Sequence, residues 1–227
     1  MTSAGPERPR ILVTGFSAFP GAPVNPTERL VAELRNRLPE LASVGAVAAV
    51  VLDVDYAKLP EALRRLAAAQ QPDIAIHFGL SAAATGFVLE RLARNAYGGK
   101  PDNSGHVPEA ARICDGDDVL ASTLPLDALH VALAAAGIPV DWSDDAGGYL
   151  CNYLFYLSRS PVLYEFAPGM SGFIHVPPLR EGETTEVAGA MDLETLVEGA
   201  LLVIRLCAEA WGRSAPVRRR SRTWRPR

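Results

Sequence analysis

Cysteine is scarce in this sequence, and its spacing excludes several kinds of site. The 227 residues contain three cysteines, Cys114, Cys151 and Cys207, and none of them belongs to a CxxC pair. Thiols so few and so scattered exclude a disulfide framework and argue against a zinc or iron–sulfur centre. We therefore expect a reducing compartment, no metal and no other cofactor, with Cys114 and Cys207 packed as small apolar side chains.

Long apolar runs are also missing. The first ten residues, MTSAGPERPR, contain no apolar segment of the signal-peptide type. No later stretch approaches the apolar length that a membrane span needs, and we find no internal repeat. These absences predict a cytoplasmic protein with no membrane partner.

Positive charge is concentrated at one end of the chain. Residues 212–227 hold seven arginines and no acidic residue, whereas the remainder has 15 basic and 26 acidic residues and a formal net charge of −11. An acidic body disfavours nucleic acid as a partner. The arginine-rich end could bind nucleic acid or an acidic membrane surface, but a disordered, solubilising end is the interpretation that we favour.

The composition is that of a globular protein, with 48% hydrophobic and 21% charged residues. The first residues are polar and rich in proline, and the last are basic. We therefore divide the chain into a flexible tail at 1–9, a single α/β domain at 10–211 and a basic, disordered tail at 212–227.

Short apolar segments alternate with amphipathic ones along the domain. Apolar runs that end in glycine, such as ILVTG and IAIHFG, are typical of buried parallel strands. The alternation predicts a three-layer α/β/α sandwich with a mainly parallel twisted sheet. The predicted strands are 11–15, 47–52, 74–78, 138–142 and 172–176, and the predicted helices are 26–38, 57–69, 124–136, 149–158 and 192–211.

Three side chains carry chemistry at positions where such a sheet gathers ligands. Cys151 follows a glycine pair at the predicted start of a helix, where the dipole and free N–H groups would stabilise a thiolate. His175 ends a predicted strand and could transfer protons, and Glu90 could orient its ring. Together they would form a Cys–His–acid constellation suited to acyl transfer.

Each of these residues also has a structural interpretation. A cysteine on an apolar helix usually packs as a hydrophobe, and a histidine at a strand end is often a satisfied core residue. Glu90, beside Arg91 in a segment that reads as helix or turn, could lie on a solvated face.

Four segments of the chain, in order, resemble the pyroglutamyl-peptidase I family of cysteine peptidases. The resemblance runs from about Ile11 to the last helix. The cysteine and histidine segments are the most specific, and a PDN tripeptide at 101–103 is also similar to the family's. The segments are Thr14-Gly15-Phe16 with Phe19 and Asn25-Pro26-Thr27; Gly79-Leu80 with Glu90-Arg91-Leu92-Ala93 and Asn95; Ser143 with Ala146-Gly147-Gly148-Tyr149-Leu150-Cys151-Asn152; and Gly172-Phe173-Ile174-His175-Val176-Pro177.

The resemblance implies a role for each matching position. Cys151 matches the nucleophile, His175 the general base and Glu90 the orienting acid, while Phe16, Phe19 and Tyr149 match an aromatic substrate pocket. The implied function is hydrolysis of the amide bond after an N-terminal pyroglutamyl residue, with a pyroglutamyl peptide as partner and a homo-oligomer, a dimer or tetramer, as the assembly.

The sequence departs from the family pattern near the acid and the substrate loop. Ala84 replaces an arginine, Phe87-Val88 replaces an aliphatic residue and a hydroxyl, and the stretch 96–100 is one residue shorter than usual. Two alternatives therefore stay open: a divergent hydrolase of another N-capped peptide or small amide, and a non-catalytic interaction protein.

Overall fold

The structure, a computed structural model, describes residues 8–180 and 189–214 and has eight strands and five α-helices in those ranges. The strands are β1 (Arg10–Phe16), β2 (Ala46–Leu52), β3 (Ile74–Leu80), β4 (Phe87–Glu90), β5 (Leu92–Arg94), β6 (Val119–Ala121), β7 (Val140–Ser143) and β8 (Met170–Val176). The helices are α1 (Pro26–Asn36), α2 (Lys58–Gln70), α3 (Leu126–Ala135), α4 (Leu150–Arg159) and α5 (Leu193–Ser214).

Six strands form one sheet in the order β2-β1-β3-β8-β4-β7. Every neighbouring pair is parallel except β4 and β8, which are antiparallel. The short strands β5 and β6 form a separate antiparallel ribbon. The prediction of a mainly parallel sheet is therefore confirmed, with one antiparallel pair that the sequence did not indicate.

Side chains of the central strands alternate between two apolar cores. On β1, Ile11 and Val13 pack with α1, α3 and α5, whereas Leu12 and Phe16 pack with α2 and α4. This alternation follows from the two-residue period of a strand. Helices therefore cover both faces of the sheet, as the predicted three-layer sandwich requires.

The start of α1 shows how local sequence sets an element boundary. The Asn25 side chain accepts a hydrogen bond from the Thr27 N–H at 3.0 Å, and Pro26 occupies the first helical position. The helix ends at Asn36 and gives way to a 3₁₀ turn at Leu38–Leu41 that contains Pro39. A proline disfavours helical geometry in the residue before it, which explains why the helix is shorter than predicted.

The segment around Glu90 was predicted to be helix or turn, and that prediction is wrong. Residues 87–90 form β4, which lies between β8 and β7. The helix-like spacing of apolar residues in VLERLARNA covers too few residues to distinguish helix from strand. Hydrogen bonds to the two flanking strands, β8 and β7, stabilise the strand conformation of this segment.

The ends of the chain extend beyond the described residues. The last helix runs to Ser214, so its final residues overlap the predicted basic tail. Residues 1–7 and 215–227, which carry most of both predicted tails, lie outside the described ranges, and the domain limits stay a prediction. Among the described helices, none combines the length and apolar character that crossing a bilayer requires.

A buried line of polar side chains ties α4 to the sheet. Thr14 Oγ1 is 2.8 Å from His77 Nδ1, and His77 Nε2 is 3.0 Å from Ser158 Oγ on α4. Ser158 in turn hydrogen-bonds Ser171 on β8. Both ring nitrogens of His77 have partners, and its complete burial lowers its pKa to about 3. His77 is therefore a neutral structural residue.

We expect His77 to make the protein sensitive to acid. Its pKa is about 3 when folded and near 6.5 when unfolded, so below pH 6.5 the unfolded chain binds a proton that the folded chain does not. Between pH 6.5 and pH 5 this costs about 1.6 kcal/mol of unfolding free energy. Urea unfolding at both pH values should show a smaller loss in His77→Gln than in wild type. The exposed His106→Gln variant should keep the wild-type loss, and equal losses in all three proteins would contradict the assignment.

Candidate active site

A cavity of about 800 Å³ lies where the carboxyl ends of β1, β3 and β8 meet the loop that leads into α4. Cys151, His175 and Glu90 all contribute to its wall. A second cavity, at the amino ends of the strands, is lined by Arg10, Asp73 and other residues that include no cysteine, serine, threonine or histidine. The first cavity is therefore the candidate active site.

Cys151 is the second residue of α4, and the turn before it is shaped by glycine. Gly147 has φ +77°, in the left-handed region that favours glycine. Gly98 donates its N–H to the carbonyl of Gly148 at 2.6 Å, and a Cβ on Gly148 would lie 2.5 Å from Gly98 Cα. The glycine pair of the sequence thus allows two backbones to pass closely just before the nucleophile.

The first turn of α4 presents backbone N–H groups that can donate hydrogen bonds. Tyr149 is the N-cap residue and its side chain makes no capping hydrogen bond. The first N–H groups of a helix have no intrahelical acceptor, and together with the helix dipole they favour negative charge. Cys151 therefore sits where a thiolate and, later, an oxyanion would be stabilised.

Gly79, on β3, leaves the space that the thiol occupies. A Cβ at this position would lie 2.8 Å from Cys151 Sγ and 2.6 Å from Phe173 Cζ. Both distances are far below ordinary van der Waals contact. The glycine of the Gly79-Leu80 motif is thus required by the position of the sulfur.

His175 and Glu90 meet across the antiparallel pair β4 and β8. His175 is in register with Val88, and Glu90 with Phe173, so His175 and Glu90 are diagonal neighbours on one face. His175 Nδ1 is 2.7 Å from Glu90 Oε1. The antiparallel strand thus brings the acid to the imidazole, which leaves the other ring nitrogen for Cys151.

The charges of this group favour an imidazolium. Burial alone would lower the pKa of His175, but the negative charge and hydrogen bond of Cys151, and then those of Glu90, outweigh burial and raise the pKa to about 10. Glu90 is 2% exposed and His175 is 7% exposed. The buried carboxyl of Glu90 and the half-buried thiol of Cys151 therefore both act on the imidazole, and this arrangement favours its protonated form.

Two of the three predicted pocket aromatics line the cavity. Phe19 and Tyr149 have ring centroids 6.0 Å apart, and the Tyr149 hydroxyl donates to the carbonyl of Pro101 at 2.9 Å. Phe16 is 3% exposed, packs in the core beneath α2 and α4, and is absent from the cavity wall. The structure thus brings Cys151, His175, Glu90 and two aromatics together and leaves Phe16 behind them.

The asparagines of the matching motifs hold the loops around the nucleophile. The Asn152 side chain accepts the N–H of Arg94 at 2.8 Å and donates to the carbonyls of Arg94 and Ala96. Asn95 bonds the backbone of Ile113, Cys114 and Gly116 in the same way. These buried amides are fully used by the backbone, so they position the site and do not face substrate.

The PDN tripeptide forms one side of the cavity. Asp102 Oδ1 accepts from the backbone of Ser104 and His106, and its Oδ2 accepts the N–H of Tyr56 at 2.9 Å. Asn103 donates its side-chain amide to the carbonyl of Ala18 at 3.0 Å. The tripeptide therefore links the loops that follow β1 and β2, and the Tyr149 hydroxyl joins it to the start of α4.

Comparison with known proteins settles the family. The family model for pyroglutamyl peptidase matches residues 9–210. The chain belongs to the pyroglutamyl peptidase family. A pyrrolidone-carboxylate peptidase of Pyrococcus furiosus is 39% identical over 175 residues, 76% of this chain and 82% of that protein. One from Vibrio vulnificus is 34% identical over 203 residues, 88% of this chain and 93% of that protein.

Solved structures give the same result for the fold. A pyrrolidone carboxyl peptidase of P. furiosus superimposes with a TM-score of 0.77 and 35% identity, covering 88% of this chain and 98% of that one. The family resemblance and the fold predicted from the sequence are thereby confirmed. The individual roles of Cys151, His175, Glu90, Phe16, Phe19 and Tyr149 stay predictions.

Tyr56 lies beside the cavity and was not identified from the sequence. It follows β2, and its ring contacts those of Tyr97, Tyr149 and Tyr153. Its partners are distant in sequence, so no local spacing could have indicated it.

We expect His175 to remain protonated at pH 8, because Cys151 and Glu90 raise its pKa to about 10. Glu90→Gln and Cys151→Ser each remove a negative neighbour and should lower that pKa. NMR titration of ¹³C-labelled histidine measures the pKa of His175 in the wild type and in both variants. Titration of His175 near its ordinary value of about 6.5 in the wild type would contradict the ion pair.

Gly79→Ala should damage the site more than it damages the fold. The added methyl overlaps Cys151 Sγ, so we expect kcat/KM in a pyroglutamyl peptidase assay to fall about 100-fold, as for a misplaced reacting atom. Gly199→Ala is the matched control, because its Cβ would lie 2.4 Å from Phe87 Cζ on the other face of the sheet. Both variants should lose about 1–3 kcal/mol of stability by overpacking. Equal kcat/KM in the two folded variants would refute this role of Gly79.

Proposed function

We propose that this protein is a cysteine exopeptidase that hydrolyses the amide bond after an N-terminal pyroglutamyl residue. The observation that carries the proposal is the Cys151–His175–Glu90 group in one cavity of a chain that belongs to the pyroglutamyl peptidase family. The relatives are named pyrrolidone-carboxylate peptidases, which agrees with this reaction.

Substrate binding uses a neutral, mainly apolar region of the cavity. The pyroglutamyl ring carries no charge, and the rings of Phe19 and Tyr149 offer it flat apolar contact. Its amide N–H and C=O need polar partners once they leave water. The peptide that follows the ring extends toward the open end of the cavity, past Lys100 and Asp145.

Acylation begins with the thiolate of Cys151. The sulfur attacks the carbonyl carbon of the pyroglutamyl residue, and the carbonyl oxygen becomes an oxyanion held by N–H groups of the first turn of α4. His175, protonated and oriented by Glu90, gives its proton to the leaving amine as the C–N bond breaks. The products of this step are a free peptide amine and a thioester on Cys151.

Deacylation returns the enzyme to its starting state. His175, now neutral, takes a proton from water, and the resulting hydroxide attacks the thioester. The C–S bond breaks, pyroglutamic acid leaves, and the proton on His175 restores the thiolate–imidazolium pair. The scheme uses groups of the chain and water, and it needs no metal or organic cofactor.

The same proposal implies a cellular compartment and an assembly for the protein. We place the enzyme in the cytoplasm, where a reducing environment keeps Cys151 active. The homo-oligomer, a dimer or tetramer, and the lack of a nucleic-acid partner stay predictions. Light scattering after gel filtration measures the oligomeric state.

The test is hydrolysis of a pyroglutamyl-linked fluorogenic amide under reducing conditions. Wild type should cleave it, whereas Cys151→Ala and His175→Ala should lose about 10⁴-fold or more of kcat, because a nucleophile and its base act as a unit. Cys114→Ala is the matched control, since Cys114 is half-buried outside the cavity and bonds Tyr156. It should retain wild-type activity.

The same assay separates the alternatives. A divergent hydrolase would cleave another N-capped amide in a substrate panel and leave the pyroglutamyl amide intact. A non-catalytic protein would cleave neither, and its Cys151 would react with iodoacetamide no faster than Cys114. Either result from folded wild-type protein would overturn the proposed function.

A further inference from the structure

One buried hydroxyl beside the active site lacks a hydrogen-bond partner in the part of the chain that the structure describes. Among the described residues, Tyr56 Oη and Glu90 Oε2 are the buried side-chain oxygens or nitrogens that lack a hydrogen-bond partner. Glu90 already pairs with His175 through its other oxygen. Tyr56 is 4% exposed, and the phenol oxygen is the one polar atom of its side chain. Such unsatisfied groups are rare in folded proteins and require an explanation.

Tyr56 is held firmly in place by its backbone and its ring. Its N–H donates to Asp102 Oδ2 at 2.9 Å, and its ring centroid lies 6.1 Å from that of Tyr149 and 5.5 Å from that of Tyr153. Asp102 and Tyr149 both line the cavity, and Tyr153 is one turn along α4. The residue therefore lies directly behind the cavity wall.

The surroundings of the Tyr56 hydroxyl keep it protonated. Burial raises the pKa of Tyr56 well above its ordinary value, and the charges that raise it further belong to Tyr149, Tyr97, Asp102 and Cys151. Three of these four residues form the wall near the nucleophile. The phenol is thus neutral at any pH at which the enzyme would work, and it has a proton to donate.

The substrate offers the acceptor that the protein lacks. When the pyroglutamyl ring is buried, its ring carbonyl loses water and needs a donor. Tyr149 lines the cavity and its ring centroid lies 6.1 Å from that of Tyr56, so a pyroglutamyl ring seated against Tyr149 comes close to the Tyr56 side chain. We propose that the Tyr56 hydroxyl donates a hydrogen bond to the ring carbonyl of the pyroglutamyl residue and so selects for this ring. This inference rests on the proposed function.

Such a bond explains selectivity as well as affinity. A site built to bond a polar group of its substrate rejects analogues that lack this group, because its own buried group then stays unpaired. An N-terminal proline has the same ring without the carbonyl. A bound N-terminal proline would therefore leave the buried Tyr56 hydroxyl without an acceptor.

The experiment compares Tyr56→Phe with wild type on the pyroglutamyl fluorogenic amide and in thermal unfolding. We expect kcat/KM to fall about 10- to 100-fold, the range for losing a buried hydrogen bond to a substrate. We expect Tm to stay equal or rise, because the deleted hydroxyl has no partner among the residues that the structure describes. A hydroxyl with a purely structural role would give the opposite pattern, with a lower Tm and unchanged kcat/KM.

Tyr156→Phe is the matched control. Its hydroxyl donates to the carbonyl of Asp117 at 2.7 Å and lies outside the cavity wall. Removing it should lower Tm and leave kcat/KM unchanged. Equal kcat/KM in Tyr56→Phe and wild type would overturn the inference while the proposed function stands.

Binding of two small probes identifies the bonded group and does not depend on turnover. 2-Pyrrolidone has the ring carbonyl and the N–H, whereas cyclopentanone has the carbonyl alone. By calorimetry, both should lose affinity by the same factor in Tyr56→Phe. A loss confined to 2-pyrrolidone would assign the hydroxyl to the N–H and overturn the inference, as would unchanged binding of both.

Discussion

Glu90 places a carboxylate inside the protein, where an unpaired charge costs several kcal/mol, and the imidazolium of His175 is the group that offsets this cost. The pair exists because one short strand, β4, runs antiparallel to β8 in an otherwise parallel sheet. The thiol of Cys151, the proposed nucleophile, also acts on this imidazole and favours its protonated form.

The position of the sulfur depends on how α4 is held. The buried line Thr14–His77–Ser158 fixes the far end of the helix to the sheet, and Asn152 fixes its first turn to the ribbon strand β5. Gly79 then provides the space below the sulfur, and Gly148 allows the preceding chain to pass. These constraints act on one helix from both ends, so Cys151 has little freedom to move relative to His175.

The cavity wall has two parts, the Cys151–His175–Glu90 group and a set of aromatic rings. These two parts suit a substrate in which a neutral ring is joined to a peptide bond. In the proposed reaction the ring meets Phe19 and Tyr149, while the scissile carbonyl meets Cys151, His175 and the N–H groups of α4. Phe16 packs behind this wall, with α2 and α4. The aromatic cluster therefore has two layers, and Tyr56 belongs to the inner one, where its hydroxyl has no hydrogen-bond partner among the described residues.

Local patterns in the sequence determined the framework of this protein. The apolar runs predicted most strands of the large sheet, Asn25-Pro26 marked the start of α1, and the glycine pair before Cys151 marked the start of α4. The order of the matching motifs also sufficed to indicate the family and the Cys–His–acid group. These signals are short-range, so they survive in the sequence without knowledge of the fold.

Tertiary structure alone decided the rest. The pairing of β4 with β8 joins residues 85 positions apart, so nothing near Glu90 could reveal that it lies on a strand that faces His175. The same holds for Phe16, which the packing of two helices places behind the cavity wall, and for Tyr56, whose neighbours come from three distant segments. Sequence motifs identify which groups can react, but long-range packing sets their distances, burial and charge, and these quantities fix the chemistry.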